Sequence, residues 1–389
     1  MTAQTLDPKT LEAQARFDDL CNHLRKWFYN PDIEALRIVL AIAASQYYPG
    51  DPAWLFIIGP PATGKTSQSI QSVSTAPHVW PIGDLTPQTL LSGKRKQKND
   101  GELSLLQKIG SGTLLIKDFT TLLSKRPEDR MIIVAQLREI YDGLFVKDTG
   151  ETGRLRWEGK ITIIAACTPA LERQWAVLRD LGERFMTVRW GRDKGMASGP
   201  MSLRQRLHEK EIGIQTAALG KALLADLPPT RPTFPKAYEE RLCALAEIVA
   251  LARGHVVRDG VGDRPIIDVP DAEGTSRIIK SLAAAVEGHA ALFHREVTKE
   301  DMKLAVRLAT DSIPHKRFQV LSCIPLGASI SLAHLHNMHK MAATSLEWHL
   351  AELVALNLLV EKKSGKGVDD VEFAPEFADI WAIAFPSTT

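Results

Sequence analysis

The sequence predicts an α/β core with a parallel sheet, followed by a helical region and a small C-terminal domain. Short apolar runs alternate with helix-like stretches over residues 51–195, which is typical of parallel strands joined by crossover helices. The chain has 389 residues, 44% hydrophobic and 24% charged, which is ordinary for a globular protein with two or three cores. We therefore expect four consecutive regions, at residues 1–50, 51–195, 196–318 and 319–389.

The first two regions are predicted from their apolar patterns. Residues 11–47 have a helical apolar period that is broken at Asn30-Pro31, so the N-terminal region is expected to be helical. The core should contain four strands, with helices such as 131–141 in the connections. The strands are expected at residues 54–58, 113–117, 161–166 and 185–190.

The last two regions are expected to be an all-helical lid and a winged-helix domain. Prolines between residues 228 and 235 interrupt the helical patterns of the lid, which lie at residues 202–226, 236–253 and 275–293. From about residue 319 two helix-like stretches, 330–339 and 343–356, precede a strand, a Ser-Gly-Lys-Gly turn and a second strand. Two helices followed by a hairpin are typical of a winged helix.

Composition excludes several classes of protein. The four cysteines have no C-x-x-C spacing, which favours reduced thiols over a disulfide framework. No signal-like N-terminus and no apolar run of membrane-spanning length is present, so we expect a cytoplasmic protein. The net charge of +2 neither requires nor excludes a nucleic-acid partner.

A phosphate-binding loop pattern follows the first predicted strand. Residues 59–66 match G-x-x-x-x-G-K-[ST] at every fixed position. In this pattern backbone N–H groups face the phosphates, the lysine reaches the β- and γ-phosphates, and the final hydroxyl binds Mg²⁺. The predicted nucleotide-binding residues are Gly59, Pro60, Pro61, Ala62, Thr63, Gly64, Lys65, Thr66 and Ser67.

Further polar residues lie at the ends of the other predicted strands. The strand that ends at residue 117 is followed by Asp118, which is placed to support Mg²⁺ beside Thr66. Thr168 follows the third strand and could orient an attacking water. Arg184 lies just before the fourth strand. These residues and the loop predict a P-loop ATPase with ATP and Mg²⁺ as ligands.

With these motifs the chain resembles the AAA+ ATPases. More narrowly, it resembles the branch with a hairpin before the first sensor, which includes the minichromosome maintenance helicases and the MoxR-type ATPases. The resemblance covers residues 52–192 and, more weakly, 273–311. Residues 117–120 together with 181–185 are also similar to uncharacterised ATPases of phages and integrative elements.

The resemblance implies roles for several residues. Thr168 matches sensor 1, and Ser276-Arg277 matches sensor 2 in the lid. Arg184 matches an arginine finger that reaches the γ-phosphate of a neighbouring subunit, which implies a ring, expected to be a hexamer. The alternative for Arg184 is a surface arginine paired with Glu183.

One position departs from the family pattern. The glutamate that normally follows the second-motif aspartate is replaced by Phe119, which cannot accept a proton. Glu139 or Asp142 could supply a substitute carboxylate, although both also fit an ordinary amphipathic helix. The motifs therefore predict ATP binding more firmly than hydrolysis.

Basic residues give the candidates for DNA contact. Residues 143–160 are predicted to form a hairpin whose charges could face phosphates. The alternative is a loop that threads a protein, which the aromatic residues Phe145 and Trp157 would also fit. A basic loop at 94–98 is a second candidate, and the winged-helix turn is a third. The second helix of that domain carries acids, so base readout through it is not expected. The candidate nucleic-acid residues are Lys147, Arg154, Arg156, Lys362, Lys363 and Lys366.

Three functions are consistent with the sequence. The favoured one is an oligomeric AAA+ ATPase that acts on DNA as a helicase-like, loading or replication factor of a phage or mobile element. The second is a MoxR-like protein remodeller that docks a protein partner through its winged helix. The third is an ATP-gated oligomeric switch that hydrolyses little ATP.

Overall fold

The protein has an α/β fold that divides into two compact units. The computed structural model describes residues 7–91, 104–149, 153–173, 184–191, 195–260, 264–338, 341–364 and 367–386. The first unit comprises Met1–Phe234 with Ala283–Leu304, and the second comprises Pro235–Leu282 with Ala305–Thr389. The segment predicted to be a lid therefore contributes residues to both units.

The N-terminal region forms two helices, as predicted. α1 is Pro8–Trp27 and α2 is Ile33–Ser45, with a break at Asn30-Pro31. The carboxylates of Asp7 and Asp32 accept hydrogen bonds from N–H groups in the first turns, which caps both helices. The two helices are therefore defined by local signals that the sequence carries.

A parallel sheet forms the centre of the first unit. The strands in chain order are β1 (Trp54–Ile58), β2 (Val79–Ile82), β3 (Gly112–Ile116), β4 (Leu144–Thr149), β5 (Gly153–Glu158), β6 (Ile161–Cys167) and β7 (Phe185–Arg189). Among the described residues five of them pair in the order β2-β3-β6-β1-β7, while β4 and β5 form an antiparallel hairpin. The strand that precedes the phosphate loop, β1, lies between β6 and β7, and β3 lies on the far side of β6.

The four predicted core strands are confirmed, but β2 was not predicted. This strand lies at an edge of the sheet, where it pairs with β3, and its residues are only partly buried. Pro81 lies inside it. Because proline cannot donate a ladder hydrogen bond, a proline-containing strand is tolerated at an edge and gives a weak sequence signal.

Aromatic side chains form the core on one face of the sheet. Phe56 on β1 stacks on Phe185 on β7 with ring centroids 3.7 Å apart. Trp54 packs against Phe185 and Tyr141, and its indole N–H donates to the carbonyl oxygen of Ile161. The opposite face is covered by α2, which contacts β1, β6 and β7. Burial on both faces explains why these strands are almost continuously apolar.

Helices complete the first unit along the chain. A helical segment begins with a π-helical stretch at Thr66–Ile70 directly after the phosphate loop. A 3₁₀ helix at Phe119–Ser124 follows β3 closely. The α-helices are α3 (Gln71–Val73), α4 (Leu105–Ile109), α5 (Pro127–Tyr141), α6 (Ala170–Arg173), α7 (Gly199–Gln205) and α8 (Glu209–Leu224).

A glycine sets the packing distance between α3 and α8. A Cβ atom built on Gly220 in α8 would lie 1.8 Å from the carbonyl oxygen of Ser72 in α3. Only a residue without a side chain permits this approach. The helix that follows the phosphate loop is thus held closely by α8.

The prediction of an all-helical lid at residues 196–318 is wrong in one place, because two short antiparallel strands, β8 (Val257–Arg258) and β9 (Ile266–Asp268), lie within it, whereas the two helices and hairpin expected after residue 319 are present. The helices are α9 (Glu239–Ala252), α10 (Ser276–Leu292), α11 (Lys299–Ser312), α12 (His315–Leu321), α13 (Leu332–Met338), α14 (Ala343–Ala355) and α15 (Pro375–Ala384). The remaining strands are β10 (Ile330–Ser331), β11 (Leu359–Ser364) and β12 (Gly367–Phe373). Two helices, α13 and α14, precede the β11–β12 hairpin, and β10 pairs with β12.

The end of α10 and the start of α11 belong to the first unit and contain a buried polar network. Asp301 is fully buried, and it accepts hydrogen bonds from Arg295 and from the backbone and hydroxyl of Thr298. His289 Nδ1 lies 2.5 Å from Asp301 Oδ1, and Arg37 of α2 contacts His289 Nε2 at 3.0 Å. The network links α2 to the chain near residue 300.

The expectation that Glu352 lies on the exposed surface of α14 is wrong. The sequence suggested that this acid helps to make the surface of the helix unsuitable for DNA. Instead Glu352 is buried, and it pairs with Arg317 at 3.0 Å and lies 3.2 Å from His349 Nδ1. Burial opposes its ionisation, but the His349 hydrogen bond and the Arg317 charge lower the pKa of Glu352 to about 2. This residue stabilises the second unit from within.

Candidate nucleotide-binding site

The phosphate loop leaves β1 and turns through two left-handed residues. Ala62 has φ of 60° and Gly64 has φ of 76°. Backbone conformations of this kind direct consecutive N–H groups into one concave surface, which suits an anion. The loop therefore has the backbone shape expected of a phosphate site, and Thr66 and Ser67 are exposed just beyond it.

Glycine is favoured at two loop positions for different reasons, at Gly59 by the close approach of Trp190 and at Gly64 by its left-handed φ. A Cβ atom on Gly59 would lie 2.9 Å from Cβ of Trp190, and one on Gly64 would lie 2.5 Å from the side-chain nitrogen of Gln68. The ring of Phe28 lies on the same side of Gly64, at 3.4 Å from that Cβ position. Close packing of Trp190 and Phe28 therefore fixes the loop from both sides.

Lys65 is the buried cation of the site. Its side chain is only 8% exposed, and Nζ donates to the carbonyl oxygens of Gly59 at 2.9 Å and Pro60 at 3.3 Å. It forms no ion pair within the described parts of the chain. Burial lowers the pKa of Lys65, while Cys167 and Asp118 act in the opposite direction. A buried ammonium group held only by neutral carbonyls is well placed to attract an anion.

Asp118 lies close enough to influence Lys65 electrostatically. It follows β3, is exposed, and its Oδ1 accepts a hydrogen bond from the N–H of Thr120 at 2.9 Å. This bond caps the 3₁₀ helix and fixes the orientation of the carboxylate. An oriented, exposed carboxylate near a phosphate loop fits the oxygen ligands that Mg²⁺ prefers.

Thr168 forms a hydrogen bond with Thr120, which was not predicted to be a site residue. Its N–H donates to Thr120 Oγ1 at 3.0 Å, and the two hydroxyl oxygens lie 3.3 Å apart. Sequence analysis selected Thr168 but missed Thr120, because the two residues are far apart in the chain. The available signal was a hydroxyl residue two positions after Asp118.

The surroundings of the Phe119 side chain explain why this position carries phenylalanine where the AAA+ pattern has glutamate. Its side chain is 1% exposed, and its ring centroid lies 5.0 Å from that of Phe56 and 5.8 Å from that of Phe185. The residue after Asp118 therefore faces the apolar core, where a carboxylate would be unsuitable. Glu139, the proposed substitute base, is exposed on α5. Asp142 interacts with Arg184 instead.

Arg184 is held by its own chain. The residue is 8% exposed, its Nη2 lies 3.5 Å from Asp142 Oδ1, and its guanidinium lies 5.2 Å from the ring centroid of Tyr141. Because Arg184 is buried, the alternative interpretation of it as a surface arginine is wrong, while its pairing with Glu183 lies outside the described residues. Since β7 has five residues that rise ~3.3 Å each, Arg184 lies roughly 16 Å along the sheet from the phosphate-loop end. It is therefore distant from the phosphate loop of its own chain.

The predicted hairpin is confirmed, but its charges are not all directed outward. Phe145 and Trp157 are buried in the core, so they are not exposed aromatics of a threading loop. Lys147 shares their face of the hairpin, and its Nζ donates to the carbonyl oxygen of Leu91 at 3.1 Å. On the exposed face each arginine has an acidic neighbour: Arg154 is paired in register with Asp148, and Arg156 contacts Glu158 at 2.8 Å.

The other candidate nucleic-acid residues are described only in part. In the second unit Lys362 pairs with Glu372 at 2.5 Å. Lys366 and the basic loop at 94–98 lie outside the described residues, as does the side chain of Lys363. Arg277 is exposed at the start of α10 in the second unit, so its role as sensor 2 stays a prediction.

Comparisons with protein-family models and with curated proteins returned no match. Within the described ranges, no helix has both the length and the apolar character needed to cross a membrane.

Proposed function

We propose that this protein binds ATP with Mg²⁺ through the phosphate loop after β1. The observation that carries the proposal is Lys65, a buried cation that contacts only the loop carbonyls among the described residues and lies near Asp118. The triphosphate would replace the neutral carbonyl acceptors of Lys65 with charged phosphate oxygens, so that both donor and acceptor are ionised. Thr66 and Asp118 would hold Mg²⁺, which would neutralise part of the phosphate charge when bound.

Each residue of the site has a distinct role in this proposal. The N–H groups around Ala62 and Gly64 hold phosphate oxygens, and Lys65 stabilises the negative charge of the terminal phosphates. Thr168 contacts the γ-phosphate from the end of β6. The likeness to AAA+ ATPases supports this assignment, as does the pairing of β6 directly with β1.

ATP hydrolysis is a further step beyond binding, and the residues of the site favour a low rate of hydrolysis. Phe119 leaves no carboxylate at the usual position of the general base. Asp142 interacts with Arg184, and Glu139 precedes Asp142 by three residues on α5, so both substitute carboxylates lie toward the sheet end opposite the phosphate loop of their own chain. An ATP-gated switch, in which ATP binding drives assembly, is therefore a strong second candidate beside an ATPase motor.

The proposal also includes a ring of several subunits that acts on DNA. The distance of Arg184 from its own phosphate loop favours a role at a neighbouring subunit, provided that it leaves Asp142. DNA could bind at a winged helix formed by α13, α14 and the β11–β12 hairpin. The acidic neighbours of Arg156 and Lys362 reduce the positive charge available, so a protein partner remains the alternative for this domain.

The first experiment measures ATP and ADP affinity by calorimetry, with Mg²⁺ or with a chelator. Lys65→Ala should weaken ATP binding by about 30–100-fold, since charge-assisted hydrogen bonds contribute ~2–3 kcal/mol. Lys117→Ala is the matched control, because Lys117 is an exposed lysine outside the loop. Equal ATP affinity in wild type and Lys65→Ala, or no ATP binding in the wild type, would refute the proposal.

A second experiment separates the motor, the switch and the remodeller. Steady-state hydrolysis is measured with and without single- or double-stranded DNA, beside Arg184→Ala, and particle size is measured with and without ATP. Hydrolysis that DNA stimulates and Arg184→Ala abolishes favours the DNA motor. A size increase with ATP but negligible phosphate release favours the switch, and stimulation by a protein alone favours the remodeller.

A further inference from the structure

We propose that Thr120 positions Thr168 for the terminal phosphate, so that the two hydroxyls together distinguish ATP from ADP. The inference rests on the ATP-binding function proposed above and assigns a new residue to that site. The contact pattern that carries it is the hydrogen bond from the N–H of Thr168 to Thr120 Oγ1, together with the approach of the two hydroxyl oxygens.

The two threonines lie at the same edge of the sheet as the phosphate loop. Thr120 follows β3 and Thr168 follows β6, and these strands are neighbours in a parallel sheet. The residue before Thr168, Cys167, accepts a hydrogen bond at 3.2 Å from the N–H of Gly59, the first residue of the loop. Thr120 also donates its N–H to Asp118. A continuous series of hydrogen bonds therefore connects the loop, both threonines and the predicted metal ligand.

Counting hydrogen-bond donors shows what the pair can offer. Each threonine hydroxyl has one proton and two acceptor positions. One acceptor position of Thr120 is used by the N–H of Thr168, and one of the two hydroxyl protons lies between the oxygens. The pair thus keeps one O–H donor that is not used within it. A fixed O–H donor beside a phosphate loop can bind an oxygen of the γ-phosphate, which ADP lacks.

The position of Phe119 determines that Thr120 supplies the side chain at this edge of the sheet. Since Phe119 is directed into the core, the next residue, Thr120, is the one returned toward the sheet edge, where it is half-buried. A hydroxyl there can hold a phosphate oxygen but is a poor general base. The arrangement is therefore suited to detecting the γ-phosphate rather than to rapid hydrolysis.

The test compares nucleotide affinities with matched threonine variants. Thr120→Val keeps the shape of the side chain and the backbone N–H that binds Asp118, but it removes the hydroxyl. Thr120→Ser restores the hydroxyl. The control is Thr121→Val, because Thr121 is exposed and its hydroxyl donates to the backbone carbonyl of Asp118, outside the pair. Affinities for ADP and for adenylyl imidodiphosphate, each with Mg²⁺, are measured by calorimetry.

We expect Thr120→Val to weaken the triphosphate analogue about tenfold or more while ADP affinity is unchanged. Thr120→Ser and Thr121→Val should keep the wild-type ratio of the two affinities. Thr168→Val should resemble Thr120→Val, and the double variant should lose little more, because the two hydroxyls act as one unit.

The outcomes separate this inference from the proposed function. An unchanged affinity ratio in Thr120→Val, or an equal loss for both nucleotides, overturns the role of Thr120 while ATP binding stands. A ratio that Thr120→Ser fails to restore also overturns it. If the wild type binds neither nucleotide, the proposed function fails, and the inference fails with it.

Discussion

Replacing Phe119 by glutamate tests whether its side chain faces the core or the nucleotide. The substitution restores the residue that the family pattern has at this position. If the position faced the nucleotide, Phe119→Glu would create a general base and accelerate hydrolysis. The structure predicts the opposite, because the ring is buried and packs against both Phe56 and Phe185.

The expected loss of stability follows from that burial. Removing a buried phenylalanine side chain costs ~3–5 kcal/mol, and a carboxyl group in an apolar core adds a further penalty. We therefore expect Phe119→Glu to lower the free energy of unfolding by at least about 4 kcal/mol. Phe119→Leu, which stays apolar, should cost about 1–2 kcal/mol.

The assay combines urea unfolding, followed by tryptophan fluorescence, with steady-state ATP hydrolysis. We expect Phe119→Glu to unfold at a much lower urea concentration than Phe119→Leu, with no gain in hydrolysis. A Phe119→Glu variant that is as stable as Phe119→Leu and hydrolyses ATP faster than the wild type would refute the core-facing position of this side chain.

Two further predictions concern the stability of each unit. Gly220→Ala should destabilise the first unit by ~1–3 kcal/mol, because its Cβ would meet the Ser72 carbonyl, whereas Gly213→Ala in the same helix meets Gln71 at an ordinary 3.7 Å and should not destabilise it. Urea unfolding checks this pair, and equal losses would contradict the packing argument. In the second unit the lowered pKa of Glu352 should stabilise the fold above pH ~4.3, its unfolded value, by up to ~3 kcal/mol, and this contribution should be lost as the pH falls toward 2. In Glu352→Gln the free energy of unfolding should lack this dependence on pH, which acid unfolding measures. A variant with the same pH dependence as the wild type would contradict the stabilising role of Glu352.

The strands and the phosphate loop were predictable because their signals are local. The apolar runs placed the four core strands to within one residue or two, and the loop motif occupies consecutive positions. β2 was missed because an edge strand with Pro81 lacks a continuous apolar run. The two helices before the β11–β12 hairpin were also predicted from local periodicity.

The direction and partners of single side chains were less predictable. The contact between Thr120 and Thr168 joins residues 48 positions apart, so it depends on strand order. The sequence identified Phe119 as unusual but could not show that it faces the core. For Lys147 a signal was available, because alternate residues of a hairpin share a face and Phe145 is apolar.

The discontinuous first unit has a consequence for folding during synthesis. A Cβ atom on Gly288 of α10 would lie 2.1 Å from the carbonyl oxygen of Ala41 in α2, so these helices pack closely inside that unit. When residue 234 leaves the ribosome, the partner of α2 has yet to be made. Since chains grow at ~5–20 residues per second and Gly288 follows Ala41 by about 250 residues, α2 waits roughly 10–50 s for Gly288 to be translated. The part of α2 around Ala41 is not yet covered by α10 during that interval, so it is accessible to chaperones, and the first unit is completed only after all of residues 235–282 have been made.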